Sequence, residues 1–323
     1  MILIVNLNLA VDHIVELDEL RAGHVQRSRG ERRQAGGKGV NVARVLKTLG
    51  EPSLLTGFTG GSAGAVIEAG LRAENIEASC TRIERESRIC LILNDHRRRE
   101  QTVVNANGPD ISDAEYAGFE SDYTRLLAGA ELVVITGSLP PNLPSDTYAR
   151  LVRAARERGV RVLLDCAGVP LSAALEARPF LVKINAAEAS ELFDAPVADF
   201  QDASWAARRL CESGAEGGAG VTLGAAGAVF DFGDARYKFV APTVRATNSV
   251  GSGDAAMAGL AFALVRNLKA TEAGTLAVAC GAANALHGAG ACSTQEIAEL
   301  QPRVVCEVSP KSQVSSPKSK TCL

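Results

Sequence analysis

The sequence is poor in aromatic residues, nearly neutral in charge, and free of long apolar runs. Aromatic residues make up 4% of the 323 residues, whereas hydrophobic residues as a group make up 46%. Small and aliphatic side chains must therefore build the core, as in parallel sheets covered by helices. The net charge of −3 gives no general attraction to nucleic acid or to a membrane surface, and no segment is apolar over the length of a membrane span. We expect neither nucleic acid nor a membrane as a partner.

Paired cysteines are also missing. The eight cysteines are scattered and form no C-x-x-C pair, which argues against a zinc site. Most lie in apolar contexts, as buried free thiols of cytoplasmic proteins do. The first residues are too short an apolar run for a signal peptide and lack its basic start. The sequence therefore predicts a cytoplasmic protein.

Two common nucleotide-binding motifs do not occur. The segment Gly36-Gly37-Lys38-Gly39 lacks both the spacing and the hydroxyl of a P-loop. No G-x-G-x-x-G follows the first apolar strand, Met1 to Leu7, which argues against a nicotinamide dehydrogenase. Any nucleotide site must be built in another way.

Helical and strand patterns alternate regularly from residue 113 onward. This alternation predicts an α/β fold with a mostly parallel central sheet flanked by helices. Two segments, at about 8–34 and 87–106, depart from the alternation and predict exposed strands that pair with each other. We expect one domain over residues 1–300 and a tail over 301–323, disordered from 309 because Ser, Pro and Lys leave little to bury there.

The segment 248–259, Asn-Ser-Val-Gly-Ser-Gly-Asp-Ala-Ala-Met-Ala-Gly, is a glycine turn that leads into an apolar helix. Gly251 and Gly253 allow successive N–H groups to point at one anion, and the helix dipole adds positive potential. Asp254 at this position suits a general base. A helix N-cap is an equally good interpretation of that aspartate by itself.

Polar and glycine residues follow several predicted strands, where ligands bind in open parallel sheets. Asp165, Asn185 and Glu188 offer oxygen atoms that suit a hydrated Mg²⁺, although helix capping would also explain the first two. Thr222 and Gly224 follow a later strand and are candidates to approach a nucleotide phosphate. Their convergence favours a site over a set of unrelated caps.

Near the amino terminus, Asp12, Gly36, Gly37 and Asn41 form a candidate polyol site, because carboxylate and amide groups pair with neighbouring hydroxyls. Three cations are candidates for a substrate phosphate: Lys38, Arg88, and either Arg27 or Arg29. The run Arg97 to Arg99 is interpreted instead as a solvated turn.

These residues resemble two signatures of the phosphofructokinase B, or ribokinase-like, family of carbohydrate kinases. The first is Ala35 to Arg44 (Ala-Gly-Gly-Lys-Gly-Val-Asn-Val-Ala-Arg), and the second is Asn248 to Gly259. Intervening motifs at 137–140, 185–188 and 221–224 keep the family order, so the resemblance covers about residues 1–300. It implies a ribokinase-like fold with a small β-sheet lid over the sugar site.

The resemblance also implies ATP, Mg²⁺ and a role for each candidate residue. Asp254 would be the base, and Gly251, Ser252 and Gly253 the anion hole. The implied substrate residues are Asp12, Gly36, Gly37, Lys38, Asn41, Arg88 and Ser138. The implied ATP residues are Asn185, Thr222, Gly224, Gly281 and Asn284, and the implied residues for Mg²⁺, through water, are Asp165 and Glu188.

Within the family, Lys38 and the Ser87-Arg88 pair resemble the hexose-phosphate branch. The form of the first signature favours fructose 1-phosphate as substrate, with tagatose 6-phosphate and fructose 6-phosphate as alternatives. A sugar-phosphate sensor without catalytic activity is the alternative of another class. Exposed lid strands often pair between subunits, so we also expect a homodimer through the lid.

The sequence departs from the family pattern at three places. Leu9 and Ile184 stand where the family usually has proline, and Val103 stands where an acidic lid residue is expected. The first and third departures bear on which sugar fits. None of the three touches the expected base.

Overall fold

The computed structural model describes residues 1–310 of the chain. Strands and helices are numbered along the sequence. The strands are β1 (Ile2–Asn6), β2 (Ala10–Leu17), β3 (Gly30–Gly36), β4 (Ser53–Gly60), β5 (Thr81–Ile83), β6 (Arg88–Asp95), β7 (Glu100–Val104), β8 (Leu132–Thr136), β9 (Arg161–Asp165), β10 (Leu181–Asn185), β11 (Gly218–Thr222), β12 (Gly227–Asp231), β13 (Ala235–Val240) and β14 (Val305–Pro310). The helices are α1 (Lys38–Thr48), α2 (Gly61–Ala73), α3 (Asp113–Leu126), α4 (Thr147–Arg156), α5 (Gly168–Glu176), α6 (Ala186–Phe193), α7 (Phe200–Ser213), α8 (Ser252–Val265), α9 (Ala270–Asn284) and α10 (Thr294–Leu300). None of these helices has the length and apolar character needed to cross a membrane.

A ten-stranded sheet forms the centre of the domain, in the order β14-β13-β12-β11-β10-β9-β8-β1-β4-β5. The strands from β11 to β5 in this order run parallel. The strands β12, β13 and β14 continue the sheet with antiparallel pairing. The predicted α/β fold with a mostly parallel sheet is therefore confirmed.

Strand β1 shows how the two helical layers are held. Its side chains alternate between faces, as strand geometry requires. Ile2 and Ile4 pack into the core formed with α1, α8 and α9, whereas Leu3 and Val5 pack into the core formed with α3, α4 and α7. Both faces of β1 are buried, which explains its uninterrupted apolar sequence.

A second, smaller sheet has the order β3-β2-β6-β7. Its central pair, β2 and β6, runs parallel, and its outer pairs run antiparallel. Asp12 of β2 and Cys90 of β6 line the same cleft as Asp165 at the end of β9. The small sheet thus lies over the carboxyl ends of the central strands, in the position of a lid.

Residues 301–310 belong to the folded domain, in contrast to the prediction of a tail that starts at 301. A short 3₁₀ turn over Gln301–Arg303 leads into β14, in which Val305 is opposite Val240 of β13. Val305 and Val308 are β-branched residues, which suit a strand. The remainder of the predicted disordered tail, 311–323, lies outside the described residues.

Helix α5 (Gly168–Glu176) was not predicted from the sequence. Pro170 lies in its first turn, where the missing N–H is not needed by the helix. The helix supplies the crossover that parallel pairing of β9 and β10 demands.

Truncation of a core side chain is expected to weaken the fold strongly. Leu163 of β9 is fully buried, whereas Val169 of α5 is 66% exposed. We expect Leu163→Ala to lower the free energy of unfolding by about 2–5 kcal/mol, and the control Val169→Ala by less than about 0.5 kcal/mol. Urea unfolding followed by circular dichroism measures both. Equal transition midpoints for the two variants would contradict the placement of β9 in the core.

Candidate active site

A cleft of about 1300 Å³ opens between the small sheet and the central sheet. Strand β1 lies between β4 and β8, so the chain order reverses at this point, and such reversals are where open α/β sheets bind ligands. Nearly all residues predicted from the sequence line the cleft. They are Asp12, Gly37, Lys38, Asn41, Arg88, Ser138, Asp165, Asn185, Glu188, Thr222, Gly224, Gly251, Ser252, Gly253, Asp254 and Gly281.

Asp254 lies in the first turn of α8 but does not cap the helix. The N-cap is Gly251, whose φ of 84° is left-handed and suits glycine. The Oδ2 atom of Asp254 instead accepts a hydrogen bond from Nδ2 of Asn41 at 2.9 Å. This geometry favours the base interpretation over the N-cap interpretation, because the carboxylate faces the cleft residues and not the helix backbone.

The surroundings of Asp254 tune its acidity. Burial raises the pKa of Asp254 to about 6, although nearby Lys38 opposes the rise. The Asp165 carboxylate adds to the rise, and the hydrogen bond from Asn41 and the charge of Lys183 also oppose it. A carboxyl group with a pKa near 6 is ionised at neutral pH and is a stronger base than an ordinary aspartate.

A buried carboxylate, Asp165, pairs with two lysines. Its Oδ1 is 2.8 Å from Nζ of Lys38, and its Oδ2 is 2.8 Å from Nζ of Lys183. Burial alone would raise the pKa of Asp165, but the two ammonium groups outweigh burial and lower it to about 2. A Cβ atom placed on Gly253 would lie 3.3 Å from Nζ of Lys183. The lysine therefore reaches the glycine turn and adds positive charge there.

Lys38, predicted to contact the substrate phosphate, lines the cleft and pairs with a second carboxylate. Its Nζ lies 3.4 Å from Oε1 of Glu188. Burial disfavours its charge, yet the carboxylates of Asp165, Glu188 and Asp254 outweigh burial and raise the pKa of Lys38. The Lys38 ammonium remains protonated and lies between Asp254 and the ends of strands β9 and β10.

Asn185 and Glu188 form a capping box at the start of α6. Oδ1 of Asn185 accepts from the backbone N–H of Glu188 at 2.9 Å, and Oε2 of Glu188 accepts from the N–H of Asn185 at 2.9 Å. The capping alternative is therefore correct for Asn185. Glu188 keeps Oε1 on the cleft side.

The carboxylates leave little room for a directly bound metal. Both oxygens of Asp165 pair with lysines, and one oxygen of Glu188 caps a helix. Among the described residues, no group of three or more His, Cys, Asp or Glu side chains is arranged to hold a metal ion. These residues fit a cation that keeps its waters and takes other ligands from a phosphate, as Mg²⁺ does.

The side chain of Asp12 on β2 packs against Gly36 on the neighbouring strand β3. A Cβ atom on Gly36 would lie 2.3 Å from Cγ of Asp12, so only glycine leaves space for this carboxylate. Gly36 itself does not line the cleft and thus supports Asp12 indirectly, in contrast to its predicted contact with substrate. Burial raises the pKa of Asp12, and the charges of Arg44 and Arg88 partly offset the rise.

Arg88 is the first residue of β6 in the small sheet, and backbone carbonyl groups hold its side chain. Its Nε donates to the backbone oxygen of Asn8 at 3.1 Å and its Nη1 to that of Ala106 at 3.0 Å. Ser138 accepts a hydrogen bond on Oγ from Nδ2 of Asn8 at 3.0 Å. Arg29 instead pairs with Asp18 at 3.1 Å and does not line the cleft. Arg88 is therefore the better candidate for a substrate phosphate.

Asn284 was predicted to lie near an adenine, but it is fully buried and does not line the cleft. Its Nδ2 donates to the Val250 carbonyl at 2.9 Å and lies 3.0 Å from Oγ of Ser252. Its Oδ1 accepts from the N–H of Gly290 at 2.7 Å. Asn284 therefore holds the glycine turn from behind.

The remaining predicted nucleotide residues lie at one end of the cleft. Thr222 ends β11, Gly224 has a left-handed φ of 56°, and Gly281 lies on α9. Small apolar residues line the same end, and they are Ala225, Ala228, Ala241, Pro242, Val244, Ala246, Val278, Ala282 and Ala285. Such a slot is suitable for a flat ring bound by its faces.

The sequence analysis missed the roles of four residues: Asn6, Asn8, Lys183 and Arg44. Asn6 is fully buried at the end of β1, and its Oδ1 accepts from the N–H of Gly39 at 2.9 Å. A polar residue that ends an apolar strand was the available signal for Asn6, and the lysine inside the apolar strand β10 was the signal for Lys183. Arg44 belongs to the first signature but had no assigned role.

Comparison with known proteins places this arrangement in a family. A family model described as pfkB family carbohydrate kinase matches residues 3–296. The chain is 35% identical over 285 residues to the 1-phosphofructokinase of Bacillus subtilis (strain 168), and the match covers 88% of this chain and 92% of that protein.

Solved structures give the same result. The tetrameric inhibited form of phosphofructokinase-2 from Escherichia coli superposes with a TM-score of 0.87 at 27% identity, covering 94% of this chain and 98% of that one. Ribokinase from Arabidopsis thaliana, complexed with ribose and ATP, has a TM-score of 0.74 at 19% identity, covering 93% and 98%. The ribokinase likeness confirms the predicted ribokinase-like fold. The family match and the identity to the Bacillus protein show that the chain belongs to the pfkB family of carbohydrate kinases, which transfer a phosphoryl group to a hydroxyl with ATP as donor.

Proposed function

We propose that the protein is a 1-phosphofructokinase, which converts fructose 1-phosphate and ATP to fructose 1,6-bisphosphate and ADP. The observation that carries the proposal is the buried Asp254 beside the glycine turn, with two lysines close by. The similarity to the Bacillus subtilis protein of that name supports the choice of sugar. Lys38 and Arg88, both in the cleft, suit a substrate and a donor that carry phosphate.

In the proposed reaction, Asp254 takes the proton from the C6 hydroxyl of the sugar. The oxygen attacks the γ-phosphorus of ATP, the bond to the β-phosphate oxygen breaks, and ADP leaves. The N–H groups of Gly251 and Gly253 would stabilise the charge on the moving phosphoryl group. The N–H of Ser252, which was also predicted for the anion hole, instead donates to the carbonyl of Ser249 at 3.1 Å. Lys183 acts at the same turn, since its ammonium lies beside Gly253.

The substrates would lie at opposite ends of the cleft. Asp12 and Asn41 are proposed to bind sugar hydroxyls and Arg88 the sugar phosphate, with Gly37 and Ser138 shaping this end. The ATP phosphates would pass Asn185, Thr222 and Gly224, and the base would enter the apolar slot beside Gly281. Mg²⁺ would be held by ATP and, through water, by Glu188, where it would neutralise charge on the phosphates. The lysine pairs of Asp165 argue for an indirect role of that residue.

Replacement of the base is the first test. We expect Asp254→Asn to lower kcat by about 10²- to 10⁴-fold, the range for loss of general base catalysis. A coupled assay of ADP formation with fructose 1-phosphate measures this loss. Asp122→Asn on α3 is the control, since its 40% exposed carboxylate pairs only with Arg125 among the ion pairs described.

Tagatose 6-phosphate and fructose 6-phosphate belong in the same assay, because faster turnover of either would reassign the sugar. Calorimetry should show that Asp254→Asn still binds the sugar phosphate. Retention of most of the turnover by this variant would refute the base assignment. Binding without turnover of any sugar phosphate by the unaltered protein would indicate a sensor.

The pH dependence of turnover follows from the raised pKa of Asp254. The group must be ionised to accept a proton, so activity is present above its pKa and falls as the pH drops through about 6. Steady-state kcat between pH 5 and 8 measures this limb. Since sugar phosphates also titrate near pH 6, their ionisation is followed separately by phosphorus NMR. A kcat that stays constant down to about pH 5 would contradict the assignment.

We also propose that two copies pair through their lids. Ile89 on β6 and Val104 on β7 are 42% and 54% exposed, and the edges of the small sheet are open to further strand pairing. Light scattering should show a dimer or a multiple of it. Ile89→Asp combined with Val104→Asp should give a monomer, whereas Val308→Asp, at a 55% exposed position on β14, should not. A monomeric unaltered protein would overturn the proposal.

A further inference from the structure

Arg44 lies on α1, three residues beyond Asn41, and does not line the cleft. Its guanidinium nevertheless uses all five of its N–H groups. Nε and Nη2 donate to the two carboxylate oxygens of Glu74 at 2.6 and 2.7 Å, and Nη2 also donates to the Ala35 carbonyl at 2.8 Å. Nη1 donates to Oδ1 of Asn41 at 3.2 Å and to the Ala289 carbonyl at 3.0 Å. A guanidinium with all of its N–H groups in hydrogen bonds fixes the positions of its partners in addition to supplying a charge.

The contact with Asn41 determines which way its amide faces. A guanidinium only donates hydrogen bonds, so the side-chain oxygen of Asn41 must face Arg44. The amide nitrogen then faces Asp254, to which it donates at 2.9 Å. With the amide reversed, its oxygen would face the carboxylate and repel it. The side chain of Arg44 is 12% exposed and Asn41 is 6% exposed, so water has little access to replace this contact.

The contact with Ala289 braces the glycine turn. The N–H of Ala289 donates to the carbonyl of Val250 at 2.8 Å, directly before Gly251. A Cβ atom on Gly251 would lie 3.3 Å from the Cα of Ala289, so the two segments pack tightly. Arg44 therefore touches both the partner of the base and the support of the turn.

We infer that Arg44 is a positioning residue for phosphoryl transfer, which fixes the Asn41 amide against Asp254 and braces the glycine turn without touching substrate. The inference rests on the base role proposed above for Asp254. The ion-pair partner of Arg44, Glu74, lies just past the end of α2 and anchors the guanidinium from outside the cleft. Arg44 is thus assigned a function although it does not itself line the cleft.

A double-mutant cycle tests the link between Arg44 and Asn41. We expect Arg44→Met to lower kcat on the order of 10- to 100-fold, because small displacements of a catalytic group are costly, and to change the KM for ATP less than about twofold. Asn41→Leu should also lower kcat, and adding Arg44→Met to it should cost little more. Multiplication of the two separate losses in the double variant would overturn the inference.

The pH profile separates positioning from a general loss of folded protein. Asn41 stabilises the ionised form of Asp254, so a misplaced amide should move the acid limb of kcat to higher pH. The other groups that act on Asp254, namely Lys38 of α1, Lys183 of β10 and Asp165 of β9, are unchanged in these variants. A partly unfolded sample would lower kcat without moving the limb, and that result would overturn the inference.

Arg44→Lys covers the case in which Arg44→Met does not fold. It retains the charge and most of the stem, but one ammonium cannot reproduce the planar fork, so a lower kcat and a shifted acid limb are still expected. Normal kcat in Arg44→Lys would overturn the inference. Arg72→Met on α2 is the matched control, since Arg72 is 71% exposed and pairs at 3.7 Å with Glu68 on the same helix.

The base variant distinguishes the two proposals. Loss of turnover in Asp254→Asn with multiplicative losses in the cycle would uphold the proposed function and overturn the role of Arg44. Retention of turnover in Asp254→Asn would overturn the proposed function and, with it, this inference. Loss of turnover together with a coupled cycle supports both.

Discussion

The site depends on one buried carboxylate that holds two ammonium groups. Asp165 ends β9 and is 1% exposed, and Lys38 and Lys183 reach it from α1 and β10. Removal of Asp165 would leave the ammonium of Lys183, which is 2% exposed, buried without its partner, and this is costly. Asp165, Lys38 and Lys183 therefore determine the position of positive charge beside the glycine turn. This charge also explains how a second carboxylate, Asp254, can be tolerated nearby.

The fold delivers these groups to one place because the strands run parallel. Strands β1, β8, β9 and β10 end at the same edge, so residues far apart in sequence become neighbours. The glycine turn leads into α8, and Gly251, Ser252 and Gly253 line the same cleft. The small sheet closes the opposite side. A cleft with cations, one base and an apolar slot results from this convergence.

Support behind the cleft is as specific as the cleft itself. Asn284 and Arg44 lie outside the lining, and both hold the glycine turn or its neighbours by hydrogen bonds. Their polar atoms are buried and almost fully used, which restricts the turn to one arrangement. These hydrogen bonds make the glycine turn rigid. A group that stabilises the charge of a moving phosphoryl group has to be held in place in this way.

The alternation of apolar segments was enough to predict the α/β class and the parallel sheet. The glycine-rich motifs, the polar residues at strand ends and the family resemblance together predicted many of the residues that line the cleft. Strand and helix periodicity are local properties, and the glycine motifs are local as well, so both are readable along the chain. The capping of α6 by Asn185 was one of two open alternatives, because the same residue types serve both purposes. The edge strand β14 was missed, since its pairing with β13 is made 65 or more residues away along the chain.

What only the tertiary structure decided was the partner of each polar side chain. Lys38 pairs with Asp165, Asn284 holds the glycine turn from outside the cleft lining, and Arg44 orients an amide. Hydrogen bonds and ion pairs form between residues that packing brings within about 3 Å, and the sequence carries no record of which strand ends meet. The sequence by itself determined which chemistry the chain possesses; packing of the central sheet determined which groups act together.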